Sequence, residues 1–276
     1  MDAEVGRPLM SYGAITFERR GHVALVTMNR PDKLNAVNDV LQQELRAACA
    51  IVEADDEIRV MILTGAGRGF CSGADLNGSR PPLDPASPPT QVERMDEFNW
   101  GGHLVLTFGA LTKPTIAAVN GVAAGAGLGL ALSCDLRVGA ASARFKTVFA
   151  ERSMSPDTGV SYLLPRVIGY SRAVDMIFTS RTVEAEEAYR LGILDRLAPD
   201  DRLIDESLSL AEAIAKWPPM SIRSAKRVTL RNLEADLEQS LRNEIGSLAI
   251  ARLAPHDVAE SLASFRERRE PHFTGE

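Results

Sequence analysis

Cysteine is scarce: Cys49, Cys71 and Cys134 are the only three in 276 residues, far apart and without a C-x-x-C pair. That excludes a disulfide scaffold and a thiolate metal cage, and reduced thiols in a cytosolic protein are expected. Positive charge is not in excess either. Lys+Arg 31 against Asp+Glu 37 gives a formal charge of -6, which argues against a general nucleic-acid surface. The four histidines (His22, His103, His256, His272) have no metal-ligand spacing, so no metal is expected. No apolar run is long enough for a membrane span. The first twelve residues lack the basic flank and apolar stretch of a secretory signal. A cytoplasmic protein with no nucleic-acid or membrane partner is the expectation.

What the sequence does contain is apolar strands that end in small residues. Val23–Met28, Val60–Leu63 and Thr115–Asn120 read as buried strands, and Asn38–Ala54 and Gln91–Leu111 as helices. Strands alternating with helices predict an α/β layer structure with mostly parallel pairing. The stretch Ser79–Thr90, with prolines at 81, 82, 85, 88 and 89, fits a surface loop. Beyond Asp200 the strand signal fades. Arg202–Trp217, Ser221–Leu230, Leu233–Leu253 and His256–Arg269 read as helices whose apolar stripes need a partner surface.

Two glycine-rich turns carry the chemistry. Ile116–Val119 runs into Asn120-Gly121-Val122-Ala123-Ala124-Gly125-Ala126-Gly127-Leu128-Gly129, and Val60–Leu63 runs toward Arg68-Gly69-Phe70-Cys71-Ser72-Gly73-Ala74-Asp75-Leu76. Dinucleotide binding would need G-x-G-x-x-G, but Leu130 stands where the third glycine belongs, and no Gly-Lys-Ser/Thr marks a phosphate loop. Ser72 is not in a G-x-S-x-G elbow. Cys71 reads as a small buried residue. Two strand-ending turns can instead each aim one main-chain amide at a single carbonyl oxygen, which is the design of an oxyanion hole.

These segments resemble the signatures of the crotonase, or enoyl-CoA hydratase/isomerase, superfamily. Gly67–Leu76 is similar to the first signature and Lys113–Leu136 to the second. Asn29–Ala36 and Phe265–Phe273 match near the two ends. The resemblance implies a spiral of β-β-α turns over residues 1–200 and a helical region over 201–276 that builds trimers or hexamers. It implies an acyl-CoA thioester substrate with no further cofactor. The amides of Ala74 and Ala126 would hold the thioester oxygen, Ala126 standing where many relatives carry glycine. Lys33, Leu34, Ala36, Ala74, Asp75, Leu76 and Asn77 would line the coenzyme A path, with Phe149 in the acyl pocket.

Hydratases of this superfamily use two glutamates, and the resemblance places Gly129 and Phe149 at those positions. Glu151, two residues on, is a poor substitute. Asp157 in Ser155-Pro156-Asp157-Thr158-Gly159 reads either as the N-cap or first-turn residue of the following helix or, by the resemblance, as the catalytic aspartate of isomerase branches. The expectation is therefore a double-bond isomerase. Alternatives are a hydratase with an unconventional acid, an aryl-CoA dehalogenase whose histidine and tryptophan would align with Leu106 and Phe149, and an acyl-CoA binder without turnover.

Overall fold

The computed structural model describes residues 12–76 and 88–276. Strand β1 (Ile15–Arg20) pairs antiparallel with β2 (Val23–Met28), and α1 (Asp39–Ala54) follows. The chain continues through β3 (Val60–Gly65), β4 (Gly69–Cys71), α2 (Gln91–Met95) and α3 (Asn99–Ala110). Next come β5 (Thr115–Val119), β6 (Val122–Ala124), α4 (Ala126–Ser133), β7 (Leu136–Ala140) and β8 (Arg144–Lys146). Helices α5 (Val160–Ile168) and α6 (Tyr170–Thr179), strand β9 (Val183–Glu184), α7 (Ala185–Leu191) and β10 (Arg196–Ala198) complete the strand-bearing part. Four helices end the chain: α8 (Leu203–Ala215), α9 (Pro219–Asn232), α10 (Leu237–Ala251) and α11 (Pro255–Glu267).

Among the described residues the strands form two sheets, one ordered β1-β2-β3-β5-β7-β10 and a smaller one ordered β4-β6-β8-β9. Strands β3, β5 and β7 are parallel neighbours in the first sheet, and their successors β4, β6 and β8 are parallel neighbours in the second. Each β-β step thus crosses from the large sheet to the small one before a helix returns the chain. This is a spiral of β-β-α turns.

Both faces of the large sheet are covered, which is why its strands are continuous apolar runs. Ala24, Val26, Met61, Leu63, Ala117 and Val119 face the main core with α1, α3 and α4. Their alternates Val23, Leu25, Val60, Ile62, Ile116 and Ala118 pack against Leu203, Leu210, Ala211 and Ala215 of α8. Helix α1 starts where expected: the Asn38 side chain accepts from Leu41 N, and Leu41, Leu45, Ala48, Cys49 and Val52 form its buried stripe.

The single helix expected over Gln91–Leu111 is two. The Asp96 side chain accepts from Phe98 N at 3.0 Å and the Asn99 side chain from Gly101 N at 2.9 Å, and Asn99 is left-handed at φ 49. Short polar side chains compete here with the helical hydrogen bonds and break the run.

Helices α9 and α10 form a hairpin fastened to the core by charge. Lys226 Nζ meets Asp135 Oδ2 at 2.7 Å and the Lys113 carbonyl at 3.0 Å. Lys113, itself buried, donates to Val52 O and Asp55 O at the end of α1. Arg223 donates to Thr112 Oγ1 and Glu53. Past α11 the chain folds back: Asp257, 3% exposed, accepts from Thr274 N and Gly275 N, and Glu260 is clasped by Arg269. No helix among the described residues is long and apolar enough to cross a membrane.

Candidate active site

The segment 30–37 lies along the first glycine turn and is held there by hydrogen bonds. Asn35 is fully buried. Its carbonyl accepts from Arg30 N at 2.8 Å and its amide donates to Ala66 O and Gly69 O at 3.0 and 2.7 Å. Leu34 and Asn35 are left-handed, and this turns the chain so that Ser72 N donates to Leu34 O. Arg30 forms an ion pair with Asp75 at 2.7 Å and donates to Ala36 O. Lys33, Leu34, Ala36, Ala74, Asp75 and Leu76 are thereby brought together, with the Asp75 carboxylate turned onto Arg30. Asn77 lies outside the described residues.

The main-chain pattern fixes which way the Ala74 amide points. Val37 N donates to Gly73 O and Asp75 N donates to Val37 O, both at 2.8 Å. Successive amides of an extended segment alternate sides, so the N–H of Ala74 faces away from Val37. Gly73 sits at φ +109, and a Cβ there would lie 3.1 Å from Ala124 O and 3.8 Å from Ala126 N. Only glycine permits that φ and that approach. Ala126 is the first residue of α4, so its N–H has no acceptor within the helix and carries the positive end of the helix dipole. The two turns meet at this point.

A third segment, residues 148–159, lies over the start of α4. Gly129 makes the contact. A Cβ on it would come within 2.3 Å of Thr158 O and 2.9 Å of Thr158 Cγ2. No side chain fits at 129 without displacing backbone. Phe149 is 4% exposed and shares the main core with Leu128 and Val160. Glu151 is exposed and paired with Lys146 at 2.5 Å, and that hydrogen bond holds its carboxyl below the usual range.

Asp157 is half-buried, and its Oδ1 accepts a 2.8 Å hydrogen bond from Thr158 Oγ1. The helix-cap reading is corrected here. The residue capping α5 is Gly159 at φ 73, with no side-chain hydrogen bond to the helix, and Val160 N binds the main-chain oxygen of Asp157. With Thr158 at φ 48 as well, two consecutive left-handed residues turn the carboxylate off the helix end.

A family model described as enoyl-CoA hydratase/isomerase matches residues 18–276. The chain belongs to that family. It is 38% identical to the 1,2-epoxyphenylacetyl-CoA isomerase of Escherichia coli K12 over 260 residues, 92% of this chain and 95% of the relative. It is 39% identical, over 92% of this chain and 90% of the relative, to a Mycobacterium bovis protein named "Probable enoyl-CoA hydratase echA12". The crystal structure of an enoyl-CoA hydratase from Bacillus anthracis superposes with a TM-score of 0.87 at 31% identity, covering 96% of this chain and all of that one. The chain is therefore a family enzyme acting on acyl-CoA chemistry, with the crotonase fold.

The remaining family-signature residues build the scaffold. Asp135 and Lys113 of the second signature anchor α9, and Asn120 donates to Gly67 O at 2.9 Å across the two turns. Cys71 is fully buried, and burial pushes its thiol up to about 12, which leaves no thiolate for attack. Ser72 Oγ donates to Lys33 O at 3.3 Å and has no histidine partner in that bond. His103 is paired with Asp96 at 2.9 Å on the side of α3 away from Gly101, and Leu106 is exposed. Arg269 is committed to Glu260 and Glu267. No group of three metal-binding side chains occurs among the described residues.

Sequence reasoning missed the parts played by Asn35 and Thr158. A single sequence does not signal a buried asparagine brace. The Thr158-Gly159 pair, short and next to a glycine, is the local cue for the left-handed turn.

Proposed function

We propose that this enzyme moves a double bond in an acyl-CoA thioester. The amides of Ala74 and Ala126 would bind the thioester oxygen, and polarisation there acidifies the neighbouring C–H. Asp157 would take a proton from one carbon, the C–H electrons pass into the carbonyl as an enolate, and the same carboxyl returns the proton to a different carbon. No water or separate cofactor enters the balance, and coenzyme A arrives as part of the substrate. An oxyanion donor is worth roughly 3–4 kcal/mol of barrier, and a positioned acid–base group roughly 10²–10⁴ in rate.

The observation that carries this reading is the contact between Gly129 and Thr158. It fills the space beside Gly129, the position of the first hydratase glutamate by resemblance, with backbone, and Phe149 stands at the second, which supports Asp157 as the remaining acid–base candidate. That weighs against ordinary hydration, whatever names the relatives carry. The name of the Escherichia coli relative, 1,2-epoxyphenylacetyl-CoA isomerase, favours an isomerase branch.

The test compares purified wild type with Asp157→Asn on 3-enoyl-CoA isomerisation and on 2-enoyl-CoA hydration. Isomerisation in the wild type and its collapse in the variant is expected. Equal hydration by both proteins would defeat the proposal.

Assembly is part of it. Leu237, Leu241, Ile245 and Leu248 form an exposed stripe along α10, continued by Leu230 and Leu233. We propose that it is covered by copies of this chain in a homotrimer or a pair of trimers, acting in the cytoplasm. Light scattering on wild type and Leu241→Lys/Ile245→Lys reads that directly.

A further inference from the structure

We infer that Thr158 is a positioning residue that holds Oδ1 of Asp157 and leaves Oδ2 as the oxygen that carries the proton. The inference rests on Asp157 being the acid–base group and goes beyond it by assigning the two carboxylate oxygens. Thr158 is 3% exposed, and its hydroxyl donates to Asp157 Oδ1 at 2.8 Å. A hydroxyl has one proton to give, so this one is spent on the carboxylate. The residue takes a left-handed φ of 48, which a β-branched side chain resists and which asparagine or glycine would adopt freely. Surrounding contacts hold it there. Its carbonyl and Cγ2 occupy the space beside Gly129, and Oγ1 lies 3.1 Å from where a Cβ on Gly101 would stand. Both neighbouring positions are glycines, and the threonine fills the gap between α3 and α4. The Asp157 main chain is fixed at the same time by Val160 N. Thr158 thus keeps the Asp157 carboxylate aimed, and the proton taken from the acyl carbon goes to Oδ2 and returns from it.

The experiment measures kcat and KM for 3-enoyl-CoA isomerisation in wild type, Asp157→Asn, Thr158→Val, Thr158→Ser and Thr158→Gly. In Thr158→Val, kcat is expected to fall about tenfold to a hundredfold with KM within about threefold. Thr158→Ser should restore kcat. Should Thr158→Val not fold, Thr158→Gly, which suits the left-handed turn and lacks the hydroxyl, carries the measurement. An unchanged kcat in the hydroxyl-free variants, a KM that rises as much as kcat falls, or a serine variant as impaired as valine, overturns the role of Thr158 while Asp157 stands. Full activity in Asp157→Asn overturns both.

Discussion

The two halves of the site are built on opposite principles. The two glycine turns at 69–76 and 121–129 are made of small residues, hold their shape through main-chain hydrogen bonds, and are tied down by Asn35, Asn120 and the Arg30–Asp75 pair. The segment 148–159 has two left-handed β-branched residues, Val148 and Thr158, and a run of exposed side chains from Ala150 to Ser155. In the proposed mechanism the first half would recognise what all thioester substrates share. The second would carry the side chains that decide the reaction, and its strain is the kind that accumulates at functional positions. A family can therefore keep one half and vary the other.

The contrast can be broken most severely at Asp157. Asp157→Asn should lower isomerisation roughly 10³-fold while leaving acyl-CoA binding by calorimetry close to wild type, because the binding half is untouched. Gly129→Glu tests whether the two halves are mechanically separate. It would import the missing hydratase carboxylate, but the overlap with Thr158 O should destabilise the fold by about 3 kcal/mol or more, read as a sharp drop in thermal midpoint, with no gain of hydration. Gly109→Ala is the control: it is also a helical glycine, but nothing stands within 4 Å of its Cβ position. It should stabilise by roughly 0.5–1 kcal/mol.

A smaller effect is expected away from both halves. Lys226→Met removes the ammonium partner of Asp135. It should cost about 2 kcal/mol and about 5 °C in Tm by calorimetry, since Asp135 is only partly shielded. The smallest effect belongs to the Glu260–Arg269 clasp. Arg269 holds the Glu260 carboxyl at about 2, below its ordinary 4.5. A depressed carboxyl contributes stability that is complete above its unfolded value and fades as pH falls through the folded one. The Tm difference between wild type and Glu260→Gln should therefore persist above pH 4.5 and disappear on approach to pH 2.

Much of this was legible beforehand. The apolar strands and the two turns follow from residue type and spacing, because buried parallel strands and small-residue turns leave plain marks in a sequence, while the loss of both hydratase glutamates follows from the family resemblance alone. What was not legible depends on side chains competing for backbone. Asp96 and Asn99 split the helix drawn over Gln91–Leu111, and Thr158 with Gly159 displaced Asp157 from the helix cap. The place of α8 was hidden for another reason: its apolar stripe reads the same whether it covers a sheet or another helix.

The lysine that reaches from α9 to Asp135 has a practical consequence. Lys226 and Arg223 grip the start of β5 from outside, and Ser247 of α10 bonds to Ser224 of α9. A tryptic nick at Lys216–Trp217 would therefore release no fragment. The severed hairpin would stay clamped to the body, visible on a denaturing gel and silent in gel filtration.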